Sequence, residues 1–145
     1  MKHKFVEQSA MAVVLCGNLI LTTKELIYGK EILSLPKGHI EGNESNIETA
    51  IRECFEEASL ELNKNDFVKE LKPFSYEFID HNDKLISKTI CPVLFRVNEA
   101  PKLTPKEKNV LEVNWIDIEE FYKITSYDNV RVILKEVLEG GMLNV

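Results

Sequence analysis

The sequence predicts an α/β sandwich, and three observations predict it. Short apolar and β-branched runs recur along the chain, each bounded by turn residues. One long amphipathic stretch beginning near Ser45 interrupts them with helical periodicity. A second helical pattern, Val130 to Leu138, closes the chain and ends at Gly140-Gly141. Strands flanking a central helix, with another helix at the C-terminus, bury their apolar faces by stacking in layers. A length of 145 residues suffices for one core and is most simply a single domain, 1–145.

The elements follow in order. Ser9 to Cys16 (SAMAVVLC) reads as a buried strand. Gly17-Asn18 is a turn signal, and Leu19 to Thr22 is the returning strand of a hairpin. Thr23 to Lys30 is ambiguous, with Leu26-Ile27-Tyr28 as a short strand candidate and Ile32 to Leu35 as another. Pro36 ends that strand by removing an amide donor, so Lys37-Gly38-His39 reads as loop. Ser45 with Glu48 three residues on forms a capping box, and the central helix starts there. Asn63-Lys64-Asn65 marks the loop after it. Phe67 to Ile79 contains a strand with Phe74, Tyr76 and Phe78 on one face. His81 to Lys84 is a turn, and Leu85 to Val97 is the partner strand. Pro92 inside that run argues against a central, fully paired position. Glu99 to Asn109 is a charged loop, Val110 to Trp115 a last strand, and Ile118 to Tyr122 a short helix.

The chemistry concentrates in the central helix. Glu53, Glu56 and Glu57 stand at i, i+3 and i+4 and share one face. Ile47, Ala50, Ile51, Cys54 and Ala58 fall on the other face. Like charges at this spacing repel, and a hard divalent cation turns the repulsion into binding. Oxygen ligands suit Mg²⁺ or Mn²⁺. Arg52 has Glu48 at i−4 and Glu56 at i+4, within reach of both carboxylates.

Gly38 to Leu60 resembles the Nudix box. The family pattern sets a glycine, a glutamate, an Arg-Glu pair, a Glu-Glu pair, a glycine and an aliphatic residue at fixed spacing. Here Gly38, Glu44, Arg52, Glu53, Glu56, Glu57 and Leu60 match it. Cys54 replaces a usual aliphatic residue, and Ser59 replaces the second glycine. The resemblance implies a mixed sheet between helices, with metal on the exposed face of the central helix. It implies hydrolysis of a nucleoside diphosphate linked to another group by water attack on phosphorus. Glu53, Glu56, Glu57 and the Gly38 carbonyl are the implied metal ligands. Arg52 orients carboxylates, and the base is one of the box glutamates or a glutamate from a later loop. Glu107 and Glu112 are candidates for that later glutamate. At the family glycine a left-handed backbone is implied, where serine costs on the order of 1 kcal/mol.

Pro36 to Glu41 (PKGHIE) further resembles the dinucleoside polyphosphate hydrolases of this family. That subgroup carries a tyrosine stacking on adenine, and Tyr76 lies sixteen residues past Leu60. Packing with Phe74 and Phe78 is the other role open to Tyr76. Lys37 and His39 contact phosphate oxygens or serve the loop alone. A nucleoside triphosphate or other nucleoside-diphosphate-linked pyrophosphatase is the alternative enzyme. A nucleotide-binding regulatory domain of the same fold is the alternative outside catalysis, and the intact carboxylates argue against it.

A net charge of −6 disfavours nucleic acid as a partner but not a phosphorylated small molecule held through a metal. Cys16, Cys54 and Cys91 show neither redox nor metal-ligand spacing and read as free thiols in a reducing compartment. The N-terminal residues carry no signal-peptide pattern, and nothing reaches membrane-spanning length. The expectation is a cytoplasmic protein, monomer or homodimer, acting on a small-molecule nucleotide.

Overall fold

The computed structural model describes residues 4–142. Residues 1–3 and 143–145, the ends of the expected 1–145 domain, lie outside the described residues. The strands are β1 (Lys4–Cys16), β2 (Leu19–Ile27), β3 (Lys30–Ser34), β4 (Lys37–His39), β5 (Phe67–Glu70), β6 (Phe74–Ile79), β7 (Leu85–Arg96) and β8 (Val110–Asp117). Helix α1 (Asn46–Ala58) follows β4, while α2 (Ile118–Ile124) and α3 (Asp128–Glu139) close the chain. A 3-10 turn occupies Lys64–Asp66.

Strand β1 is the centre because both its faces are apolar. Met11, Val13 and Leu15 pack with Leu94, Phe121, Ile133, Leu134 and Val137 under α2 and α3. The alternate residues Ala10, Ala12 and Val14 pack with Ala50, Cys54, Ala58 and Phe95 under α1. Small side chains on both partners let α1 lie close to the sheet. The result is the α/β/α sandwich expected from the sequence.

The sheet is mixed. β1 runs parallel to β7 from Lys4↔Leu85 to Leu15↔Arg96. Its other edge takes β4, antiparallel, with Ala10 opposite Gly38 and Met11 opposite Lys37. β1 meets β2 only at the hairpin, Leu15↔Ile20 and Cys16↔Leu19, across a turn whose first residue, Gly17, has φ +59°. β2 then leaves to pair with β3 and β8.

Three expectations need correction, and a fourth gains a strand. β1 begins at Lys4 rather than Ser9. Glu7 and Gln8 interrupt the apolar pattern there, and backbone pairing with β7 carries the strand past them to Lys4. The Lys37–His39 loop is instead β4, because Pro36 ends one pairing but still accepts from the Ala12 amide (2.8 Å) as the chain turns onto β1. The Phe67 to Ile79 segment holds the expected strand, β6 with Phe74, Tyr76 and Phe78, and a second one before it, β5, the two laid end to end along β7. Pro92 does occupy a central strand. Its carbonyl accepts from the Leu71 amide (2.9 Å), so its missing N–H falls where the neighbouring edge is broken between β5 and β6. Among the described residues no helix is long and apolar enough to cross a membrane.

Candidate active site

Helix α1 starts as its sequence requires. The Ser45 hydroxyl accepts from the Glu48 amide (3.1 Å), and the Glu48 carboxylate accepts from the Ser45 amide (3.0 Å). Glu48 is thereby committed to the cap, and its bond to the Ser45 backbone lowers its pKa. The expected Glu48–Arg52 contact gives way to Glu44, which approaches from the loop before the helix.

Arg52 is the hub. Its Nε and Nη2 donate to the two oxygens of Glu44 at 2.8 and 3.0 Å, a bidentate pair. Nη2 also donates to the His39 carbonyl (2.8 Å), tying α1 to β4. Nη1 donates to Glu53 at 2.8 Å and to Glu56 at 3.2 Å. Glu44 accepts further from the Glu41 amide and the Thr49 hydroxyl, each at 3.0 Å. Arg52 first, then the Glu41 amide, holds the Glu44 carboxyl down to about 2.

Gly38 has a role beyond an open backbone. A Cβ there would overlap the Glu53 carboxylate itself. Antiparallel pairing with Ala10 presses β4 against α1, and only hydrogen leaves room for Glu53. Burial raises the Glu53 pKa, against the lowering bonds from Glu57 and Arg52. Glu57 accepts from the Lys37 amide (3.1 Å) and is 4% exposed. Burial pushes its carboxyl up to about 10, with Glu25 and Glu53 adding to it.

Glu107 comes to the helix from the β7–β8 connection. One ligand oxygen from each of Glu53, Glu56 and Glu107 lies within 4.8 Å of the others. Glu112, the other late candidate, faces Lys24 at 3.0 Å instead. Glu57 stands beside this trio, buried under β4.

Strand β4 connects the acidic cluster to a cavity of about 510 Å³ on the α3 side of the sheet. Gly38 faces Glu53, while the Lys37 side chain lines the cavity with Tyr76, Lys88 and Tyr127. Lys37 Nζ lies 5.8 Å from the Tyr127 ring centre. Tyr76 stands between Phe74 and Phe78, with ring centres 6.4 and 5.9 Å away, and is 37% exposed. It therefore packs with its strand neighbours and also presents a face to the cavity. His39 is not among the cavity residues; its Nε2 lies 3.0 Å from Glu7.

Three residues escape a reading of the sequence. Glu25 is buried on β2, on the face of Leu21 and Thr23, and period two from those residues is its signal. Lys88 shares the β7 face of Ile86 and Ile90 and lies opposite Tyr76, where a lysine amid apolar residues is the signal. Burial, then Lys37, lowers its pKa. Tyr127 precedes α3 and has no sequence signal of its own. Ser59 does take the left-handed backbone expected there, at φ +64°.

Residues 6–137 match the profile of the NUDIX domain. Over 103 residues the chain is 32% identical to "Putative mutator protein MutT4" of Mycobacterium tuberculosis (strain CDC 1551 / Oshkosh), covering 71% of this chain and 40% of that protein. A bifunctional NMN adenylyltransferase/ADP ribose pyrophosphatase of Francisella tularensis, complexed with AMP and an Mn ion, superposes with a TM-score of 0.71 at 23% identity. That match covers 97% of this chain and 42% of the other. A binary complex of C. elegans Ap4A hydrolase superposes with a TM-score of 0.67 at 19% identity, covering 94% of this chain and 98% of that one. At these identities the two structures establish the fold. The chain spans less than half the length of the Mycobacterium and Francisella proteins.

Proposed function

The chain belongs to the NUDIX family, and on that premise we propose that it is a divalent-metal-dependent pyrophosphohydrolase acting on dinucleoside polyphosphates such as diadenosine tetraphosphate. The observation that carries this reading is the convergence of Glu53, Glu56 and Glu107 on the α1 side of β4, with a cavity lined by Tyr76 and two lysines on the other side of the same strand.

The donor set fits a hard cation. It consists of carboxylate oxygens, and the side-chain-free Gly38 preserves the space in which Glu53 sits. Glu53, Glu56 and Glu107 would hold Mg²⁺ or Mn²⁺, with Glu57 and the Gly38 carbonyl adjacent. The bound cation would neutralise phosphoryl oxygens as charge develops on them. Arg52 holds Glu44, Glu53 and Glu56 in fixed geometry, so the carboxylates need little reordering. Lys37 and Lys88 attract the polyphosphate, and Tyr76 offers a ring face to a base. Water attacks one phosphorus, a carboxylate takes its proton, and the bridging oxygen leaves with the departing phosphate. Glu57 and Glu107 are the two candidates for that base. The same cavity would accept a nucleoside diphosphate linked to another group, and product identity separates the two substrate classes.

The test is a panel of dinucleoside polyphosphates, nucleoside triphosphates and nucleotide sugars, incubated with Mg²⁺ and resolved by chromatography. Preferred cleavage of a dinucleoside polyphosphate, abolished by chelator and restored by Mg²⁺ or Mn²⁺, is the expected result. Undiminished hydrolysis in excess chelator would overturn the metal-dependent mechanism. Preference for another nucleotide class would overturn the substrate assignment.

A further inference from the structure

The connection between β7 and β8 crosses the C-terminal half of α1 and is fastened there. Ser59 Oγ donates to the Thr104 carbonyl at 2.6 Å. Lys106 Nζ lies 3.6 Å from the centre of the Phe55 ring. The Trp115 indole donates to the Pro101 carbonyl at 2.9 Å. Phe55 and Ser59 stand at i and i+4, so one edge of the helix makes two of these contacts. Glu107 follows Lys106 directly, and the Val110 amide donates to its carbonyl (3.1 Å) as the loop turns into β8.

Ser59 sits where the family pattern carries glycine, at φ +64°. Glycine takes that conformation without a steric penalty, and serine does not. The penalty is retained at a residue whose hydroxyl makes a short bond to a loop bearing a carboxylate. Strain kept at such a place is a pointer to function when a specific contact accompanies it. A plain helix cap would not need the hydroxyl, because the backbone N–H of Ser59 already caps by donating to the Phe55 carbonyl (3.0 Å).

We infer that Ser59 is a positioning residue for Glu107: its hydroxyl anchors Thr104 and so brings the loop carboxylate to Glu53 and Glu56. The inference rests on the reading of that carboxylate cluster as the metal site. Ser59 is neither one of the clustered carboxylates nor a residue of the cavity, and its hydroxyl bonds to the loop. In this chain the loop is held by a side-chain bond that the family's glycine cannot make.

The test compares wild type with Ser59→Gly, Ser59→Ala and Glu107→Gln in two measurements. One is the Mn²⁺ concentration giving half of the metal-induced rise in Tm. The other is the rate of tryptic cleavage at Lys106 and Lys108 in the metal-free protein. Ser59→Gly should match or exceed the metal-free Tm of wild type, since the backbone penalty is gone. It should still need at least about tenfold more Mn²⁺, the scale on which losing a supporting residue weakens metal binding, and its loop should be cut several-fold faster. Ser59→Ala should share both defects with a lower Tm than Ser59→Gly. Glu107→Gln should raise the Mn²⁺ midpoint with little change in cleavage. If Ser59→Gly keeps the wild-type midpoint and cleavage rate while Glu107→Gln raises the midpoint, the positioning role is overturned and the metal site stands. If Glu107→Gln also leaves the midpoint unchanged, Glu107 is no ligand, and both readings fail together.

Discussion

Replacing Gly38 with alanine tests the site through one methyl group. The new Cβ would collide with Cδ and both carboxylate oxygens of Glu53. Gly38 is not among the residues at positive φ, so the backbone itself accepts alanine. The atoms that must give way are the far end of a flexible side chain, and Glu53 can swing aside without moving α1. That motion breaks the 2.8 Å bond from Arg52, and a bond to a charged group contributes about 1.5–3 kcal/mol. Part is recovered because a nearly buried carboxylate returns to water, leaving a net loss of about 1 kcal/mol, or roughly 2–4 °C in Tm. Activity should suffer far more, because the displaced atoms are the ones proposed to hold the metal. Losing that ligand should cost at least about 2.7 kcal/mol in the barrier, a ~100-fold fall in turnover. The assay pairs thermal unfolding without metal with kcat at saturating Mg²⁺. A variant that keeps near-wild-type kcat and the full metal-induced rise in Tm would refute the placement of Glu53 in the metal site. A variant that fails to fold would refute the claim that only the carboxylate end must move.

Further outcomes follow from the same geometry. Glu57→Gln should raise the metal-free Tm by removing a buried carboxyl beside Glu25 and Glu53, while cutting turnover at least ~100-fold. Glu48→Gln should retain most activity, since Glu48 caps Ser45 and does not hold Arg52; equal losses in the two variants would contradict the assignment of the acidic face. Tyr76→Ala should weaken apparent affinity for a dinucleoside polyphosphate by roughly 1–3 kcal/mol with little thermal cost; lower stability at unchanged affinity would identify the ring as core packing. Glu44 is held at about 2, below its unfolded value near ~4.3, so its contribution is complete above that value and is lost as pH falls toward 2. Urea midpoints measured from about pH 5 down to pH 2.5 should fall more steeply for wild type than for Glu44→Gln, and parallel slopes would rule the Glu44–Arg52 pair out as a source of acid sensitivity.

Much of this architecture is legible in the residues because each local rule there agrees with the burial. The capping box at Ser45 and the apolar face around Cys54 are each determined within a few residues, whereas the alternation of Phe74, Tyr76 and Phe78 sets a shared face without burying it. What escapes is decided elsewhere in the chain. Pro92 reads as an edge residue until the break between β5 and β6 supplies a place for its missing amide. β4 reads as loop because three residues carry no periodicity, and its pairing partner lies near the N-terminus. The proximity of Glu107 to Glu53 depends on the path of a proline-containing loop, which spacing does not encode. By helical spacing Arg52 reads as a partner of both Glu48 and Glu56; the Glu56 contact forms, while the bidentate geometry offered by Glu44 prevails over Glu48.

The parallel ladder between β1 and β7 also governs how the chain reaches this state. Its partners stand 81 residues apart at every step, from Lys4↔Leu85 to Leu15↔Arg96. A nascent chain therefore makes the β1–β2 hairpin early but cannot complete the middle of the sheet until β7 has emerged. Until then β1, apolar on both sides, lacks its principal neighbour, and distant closures of this kind slow folding and leave strands open to association. Glu7 and Gln8 then serve the newborn chain: they separate the exposed Phe5 and Val6 from the apolar run that begins at Ala10, so the two do not join into one apolar surface. Fragments that stop before Leu85 should aggregate rather than fold, because the strand that pairs with β1 along its length is then missing.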